Sequence, residues 1–176
     1  MDERSLSPEW LSLWVSSVSG VLSGMVGGFE AKYGYPPGTN EIRIADHGDQ
    51  GAVRALARVD QAAADLVTFY GCIGDVVLGD VGNGYFIRSA DDVLGQLEEE
   101  GAVRLPEGDH PCGMVIGSDG GGLLFVADSG GAVYRTRTAS LYEPEFDKVA
   151  EDLQQFLELL GRSVTRFVAT GEPGYL

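Results

Sequence analysis

The chain has 176 residues, of which 44% are hydrophobic and 22% charged, with a formal net charge of −15. That length and apolar share suit one globular domain with a substantial core and argue against wholesale disorder. The charge repels nucleic-acid phosphates and anionic lipid heads while drawing basic proteins in, so direct nucleic-acid or membrane binding is disfavoured and a basic protein partner is expected. The only cysteines, Cys72 and Cys112, make no disulfide scaffold and read as two partly buried thiols in a reducing cytoplasm.

Residues 10–29 carry no charge over a length that would span a membrane. The preceding Met1-Asp2-Glu3-Arg4 lacks the positive region of a signal peptide, and nine of the twenty residues are Ser or Gly. At about 100° per residue, Trp10, Leu11, Trp14, Val15, Val18, Val21, Leu22, Met25, Val26 and Phe29 gather on one side. Ser12, Ser16, Ser19, Ser23 and Gly27 lie opposite. A single greasy face predicts an amphipathic helix docked on a core, capped by Ser7 with Pro8 at its first position.

Pro36-Pro37-Gly38 stops that helix, and Glu41-Ile42-Arg43-Ile44-Ala45 alternates as a half-buried strand does. After the break at Asp46-His47-Gly48-Asp49, apolar residues from Val53 to Tyr70 recur at helical spacing. They predict one long helix or two short ones, stopped at Gly74. Short apolar runs separated by glycine then predict an antiparallel meander: 76–78, 85–87, 114–116, 123–126 and 132–134. Between the second and third runs, residues 91–100 read as a short exposed helix. Asp128-Ser129-Gly130-Gly131 is a hairpin turn. Finally, Pro144 opens a helix in which Phe146, Val149, Ala150, Leu153, Phe156, Leu157 and Leu160 keep helical spacing. Gly161 closes it, one or two further turns follow over 163–170, and a loose tail ends the chain. Neither an internal repeat nor a dividing linker interrupts this order. The expectation is a single α+β domain with a mainly antiparallel sheet of about five to six strands, flanked by N- and C-terminal helices.

Chemistry is sparse. His47 and His110 sit in loops, and His110 with Asp109 or Cys112 could at most form a weak hydrolase or zinc constellation. The spacing lacks the paired ligands of a zinc site, so surface-loop roles, no catalytic residue, no metal and no cofactor are expected. The glycine clusters 79–84 and 118–122 lack the following helix and Gly-Lys-Ser/Thr of a phosphate loop, and read as turns. One asymmetry remains. Residues 75–109 hold nine acidic residues against Arg88 and Arg104, a concentration that would steer a basic partner.

Gly113-Met-Val-Ile-Gly-Ser-Asp-Gly-Gly-Gly-Leu-Leu-Phe-Val-Ala, then Asp128, Gly131, Val133, Tyr134 and the terminal helix, resemble the SUKH superfamily. Its members share an Ile-Gly-x-Asp-Gly-Gly-Gly segment between strands and a closing helix. Leu66-Val-Thr-Phe-Tyr70 through Gly84-Tyr-Phe-Ile87 are similar to the start of that domain, so the likeness covers about residues 60–160. The usual Leu-Pro-x-x-Tyr/Phe lead-in is replaced by Ala62-Ala-Ala-Asp-Leu-Val-Thr-Phe-Tyr, and residues 1–30 lie outside the pattern. The resemblance implies an α+β domain and one of two non-catalytic roles: bacterial immunity proteins that neutralise toxins, often nucleases, or fungal regulators of cell-wall synthesis.

The leading expectation is an immunity-type protein that captures a basic toxin domain through Asp75, Asp80, Asn83, Asp91, Asp92 and Asp119. The alternative is a regulatory scaffold without a toxin, docking its partner on the apolar stripe of residues 10–29.

Overall fold

The computed structural model describes residues 5–106 and 108–176; Met1–Arg4 and Glu107, the latter one of the nine acidic residues counted above, lie outside it. In chain order the elements are α1 (Pro8–Tyr33), β1 (Asn40–Ile44), a 3-10 turn (His47–Asp49), α2 (Gln50–Leu56) and α3 (Ala64–Cys72). There follow β2 (Ile73–Leu78), β3 (Tyr85–Ile87), α4 (Ala90–Glu100), β4 (Val103–Arg104), β5 (Cys112–Asp119), β6 (Leu124–Asp128), β7 (Val133–Thr136), β8 (Phe146–Ala150) and α5 (Leu153–Thr170). This is an α+β fold. Its eight strands form one antiparallel sheet in the order β1-β2-β3-β5-β6-β7-β8, with the short β4 against the start of β5.

Period-two alternation gives the sheet two different faces. Val76, Leu78, Ile87, Ile116, Phe125 and Val133 point into the main core, where α1, α3 and α5 pack. Fully burying one Phe such as Phe156, set edge-on 5.1 Å from Phe125, contributes roughly 2–3 kcal/mol. On the opposite face a second, smaller core gathers Val115, Val126 and Tyr134 under Leu105 and Ala132.

The greasy stripe of α1 belongs to the main core: Leu11, Trp14, Val18, Leu22, Met25 and Phe29 are buried, while Ser12, Ser16 and Ser23 face out. The helix has the length and hydropathy of a membrane span, mean hydropathy 1.3 over its best window. Most of its stripe nonetheless packs on the fold, with Trp10, Val15 and Val21 partly buried and Val26 exposed at its margin. Ser7 caps it through the Trp10 amide, and the Trp14 indole donates a buried 2.8 Å hydrogen bond to the Leu157 carbonyl of α5.

Three expectations need correction. The segment from Val53 to Tyr70 is two short helices separated by a turn, one of the two forms expected, but Gly74 lies inside β2 rather than ending a helix. A Cβ there would stand 2.2 Å from the Arg43 guanidinium, so the glycine makes room for that side chain. Second, residues 146–150 are β8, paired with β7, and the last helix starts only after Asp152, whose carboxylate accepts from the Gln155 amide. That helix continues through Gly161, where a Cβ would crowd the Trp14 indole at 3.2 Å, and ends at Gly171. With β4 and β8 the strand count rises above the expected five to six. Third, the C-terminal tail is docked. Pro173 lies against Gly82 of the β2–β3 turn, the Ser163 hydroxyl bonds the Gly174 carbonyl, and Leu176 packs on the core.

Candidate functional site

The second core covers only the β5–β7 half of its face. Over β1–β3 the same face is open, and an acidic groove of about 860 Å³ runs across it. Val77 and Phe86, paired in register across β2 and β3, are half-buried and form its floor. One wall is Arg43 with the 3-10 turn and the start of α2; the other is Arg88 with the first turn of α4.

Arg43 organises the first wall. Its guanidinium lies over Gly74 and donates to both carboxylate oxygens of Asp49 at 2.8 and 2.9 Å, and through Nε to Asp75 at 2.7 Å. The bidentate pair is the strong geometry for these groups. Hydrogen bonding from Arg43, then from the Asp46 amide, lowers the Asp49 carboxyl to about 2. The same two carboxylates raise the guanidinium further above its ordinary value. Asp49 also closes a capping box with Asp46, which fixes the turn to the sheet.

On the second wall Ser89 caps α4, accepting from the Asp92 amide at 3.2 Å and donating to the Asp92 carboxylate at 2.9 Å. Asp91 and Asp92 are exposed in the first helical turn, where negative charge is favoured by the helix dipole. Arg88 bonds Gln96 and makes no ion pair among the described residues. Four carboxylates and two guanidiniums therefore line the groove, leaving it net negative.

Of the six residues singled out from the sequence, Asp75, Asp91 and Asp92 come together here. Asp80, Asn83 and Asp119 do not: they lie at the other end of β3, in the turns that join β2 to β3 and β5 to β6. Asp80 accepts from the Gly38 amide and the Asn40 side chain, both at 2.7 Å, and Asp119 accepts from the amides of Gly121 and Leu123 at 2.9 Å. Both are turn-formers. Asn83 is exposed, and its carbonyl is approached so closely by Gly120 that a Cβ there would stand 1.5 Å away. Glu98, Glu99 and Glu100 sit at the far end of α4, about 10–14 Å along the axis from Asp91 at 1.5 Å per residue. Arg43 and Asp49 were missed; the acidic loop following a strand, Asp46-His47-Gly48-Asp49, was the available signal.

His110 is exposed, with Nδ1 2.9 Å from the Ser129 hydroxyl and no carboxylate bonded to its other nitrogen among the described residues. Cys112 is half-buried at the start of β5, and His47 is exposed in the 3-10 turn. Among the described residues no group of three or more His, Cys, Asp or Glu is placed to hold a metal ion. No family model, curated protein or solved structure matches this chain.

Proposed function

We propose that this chain is a non-catalytic protein-binding domain, an immunity-type protein of the SUKH kind that neutralises a basic, nuclease-like toxin domain in the cytoplasm. The observation that carries the reading is the open half of the sheet. It combines a half-buried apolar floor of Val77 and Phe86 with a net negative rim, and those are the features a basic protein surface would complement. Asp49 and Asp75 already hold Arg43, so Asp91 and Asp92 are the carboxylates free to meet a partner's cations.

The test is a pull-down and binding titration with the toxin domains encoded beside this gene, repeated at rising salt. Binding should weaken as salt rises, and Asp91→Asn with Asp92→Asn should slow association about 3- to 10-fold while leaving stability within about 0.5 kcal/mol. Affinity indifferent both to salt and to these substitutions defeats the reading.

A further inference from the structure

β1 and β8 are the end strands of the sheet, and the pairing of β1 fixes which of its backbone groups face outward. The Gly79 amide donates to the Thr39 carbonyl at 3.0 Å, which makes Thr39 and Gly79 a hydrogen-bonded pair. In an antiparallel ladder such pairs alternate, so Glu41 and Arg43 bond inward to Val77 and Asp75. The N–H and C=O groups of Asn40 and Ile42 then point away from the sheet. Beyond the irregularity at Arg43/Ile44, the Ala45 amide donates to the Cys72 carbonyl, which turns the backbone groups of Ile44 outward as well. None of these three residues has another backbone partner among the described residues.

The other end strand is defended. β8 carries Asp147 and Lys148, and Arg137 bridges Glu145 and Asp147 alongside it. Charges of this kind deter edge pairing. On β1 the one cation, Arg43, is drawn over the sheet face by Asp49 and Asp75, and Ile44 is 55% exposed. Glu41, Asp46, Asp49 and Asp75 surround that edge against the single Arg43, so its field is negative.

From the unpaired backbone row and that field we infer that β1 takes up an extended segment of the partner as an added strand, with Lys or Arg at alternate positions on the side of Glu41 and Asp75. This rests on the proposed capture of a basic protein and names how the partner is held: main-chain bonds to Asn40, Ile42 and Ile44 supply affinity, and the carboxylates select basic side chains. The field disfavours a second copy of this chain at the same edge, because two negative edges repel.

The experiment uses the whole chain, isotope-labelled, titrated with a nine-residue peptide in which lysine alternates with valine or threonine. A second peptide of the same sequence is N-methylated at alternate residues, which removes the donors of one edge. Exchange protection of the Ile42 and Ile44 amides should rise at least 10-fold on binding, and the N-methylated peptide should bind at least 10-fold more weakly. Equal binding of both peptides, or protection centred on Val77 and Phe86, overturns the edge while the acidic-face reading stands. Failure of both peptides to bind overturns the edge and the acidic-face reading together. Concentration-dependent dimerisation with protection of the same amides in the free chain assigns the edge to self-association and overturns the inference.

Discussion

The two halves of one sheet face have been treated in opposite ways. Over β5–β7 the outward residues are large and apolar, and the segments around Leu105 and Leu141 fold back to seal Val115, Val126 and Tyr134. Over β1–β3 the outward positions are Glu41, Arg43, Asp75, Val77 and Phe86, and no comparable apolar cover lies on them among the described residues. A sheet face left open and rimmed with charge exposes Val77 and Phe86 in part without recovering their burial from the fold. Under the proposed function, this open half is the contact surface and the sealed half is the structural one.

The seam between the halves is the place to break this contrast. Gly117 on β5 pairs with Ile87 on β3, and a Cβ there would stand 2.1 Å from the Phe86 carbonyl. Gly117→Ala should therefore cost about 3 kcal/mol or more in chemical denaturation, because backbone and not a flexible side chain would have to give way. Next in size, Val126→Ala in the sealed half should cost about 2 kcal/mol, and Val77→Ala in the open half less than about 1 kcal/mol. Equal losses at the two valines would show that both halves are structural.

Acid sharpens the contrast through Arg43. The folded Asp49 carboxyl lies near 2, below its ordinary value of 3.8, so the unfolded chain binds more protons between those limits. Stability from this pair is thus fully present above about pH 4 and lost as pH falls towards 2. Allowing for the part-exposed guanidinium, Asp49→Asn should remove on the order of 1 kcal/mol at pH 6 and flatten the acid limb of a stability–pH profile. The smallest effect is expected on the outer face of α1. Gly24 is helical and has open space around its would-be Cβ, so Gly24→Ala should raise stability by about 0.5–1 kcal/mol.

How much of this was legible in the sequence depends on the range of the interaction. The α1 stripe, the meander strands and both glycine turns are local patterns, and period and turn chemistry placed them. β8 was misread because Phe146, Val149, Ala150 and Leu153 happen to continue the spacing of the helix that follows. The Asp152-x-x-Gln155 capping signal marked the true start. The acidic groove was legible only in part. Asp75, Asp91 and Asp92 could be chosen by charge, but Arg43 and Asp49 join the site through the pairing of β1 with β2, 32 residues apart in the chain at Arg43 and Asp75 and invisible to local periodicity. Asp80 and Asp119 look the same as Asp91 on paper, yet their carboxylates are spent on backbone amides.

Strand order follows chain order almost without exception, so most of the sheet can zip up from hairpins between neighbours at small loop-closure cost. The clasp of α1 on α5 is different: the Trp14 indole and the Leu157 carbonyl are separated by 143 residues. The strand hairpins are thus local contacts, and the clasp is a long-range one with a larger loop-closure cost. Trp14 at the clasp is therefore a built-in reporter of contact between the two ends of the described fold.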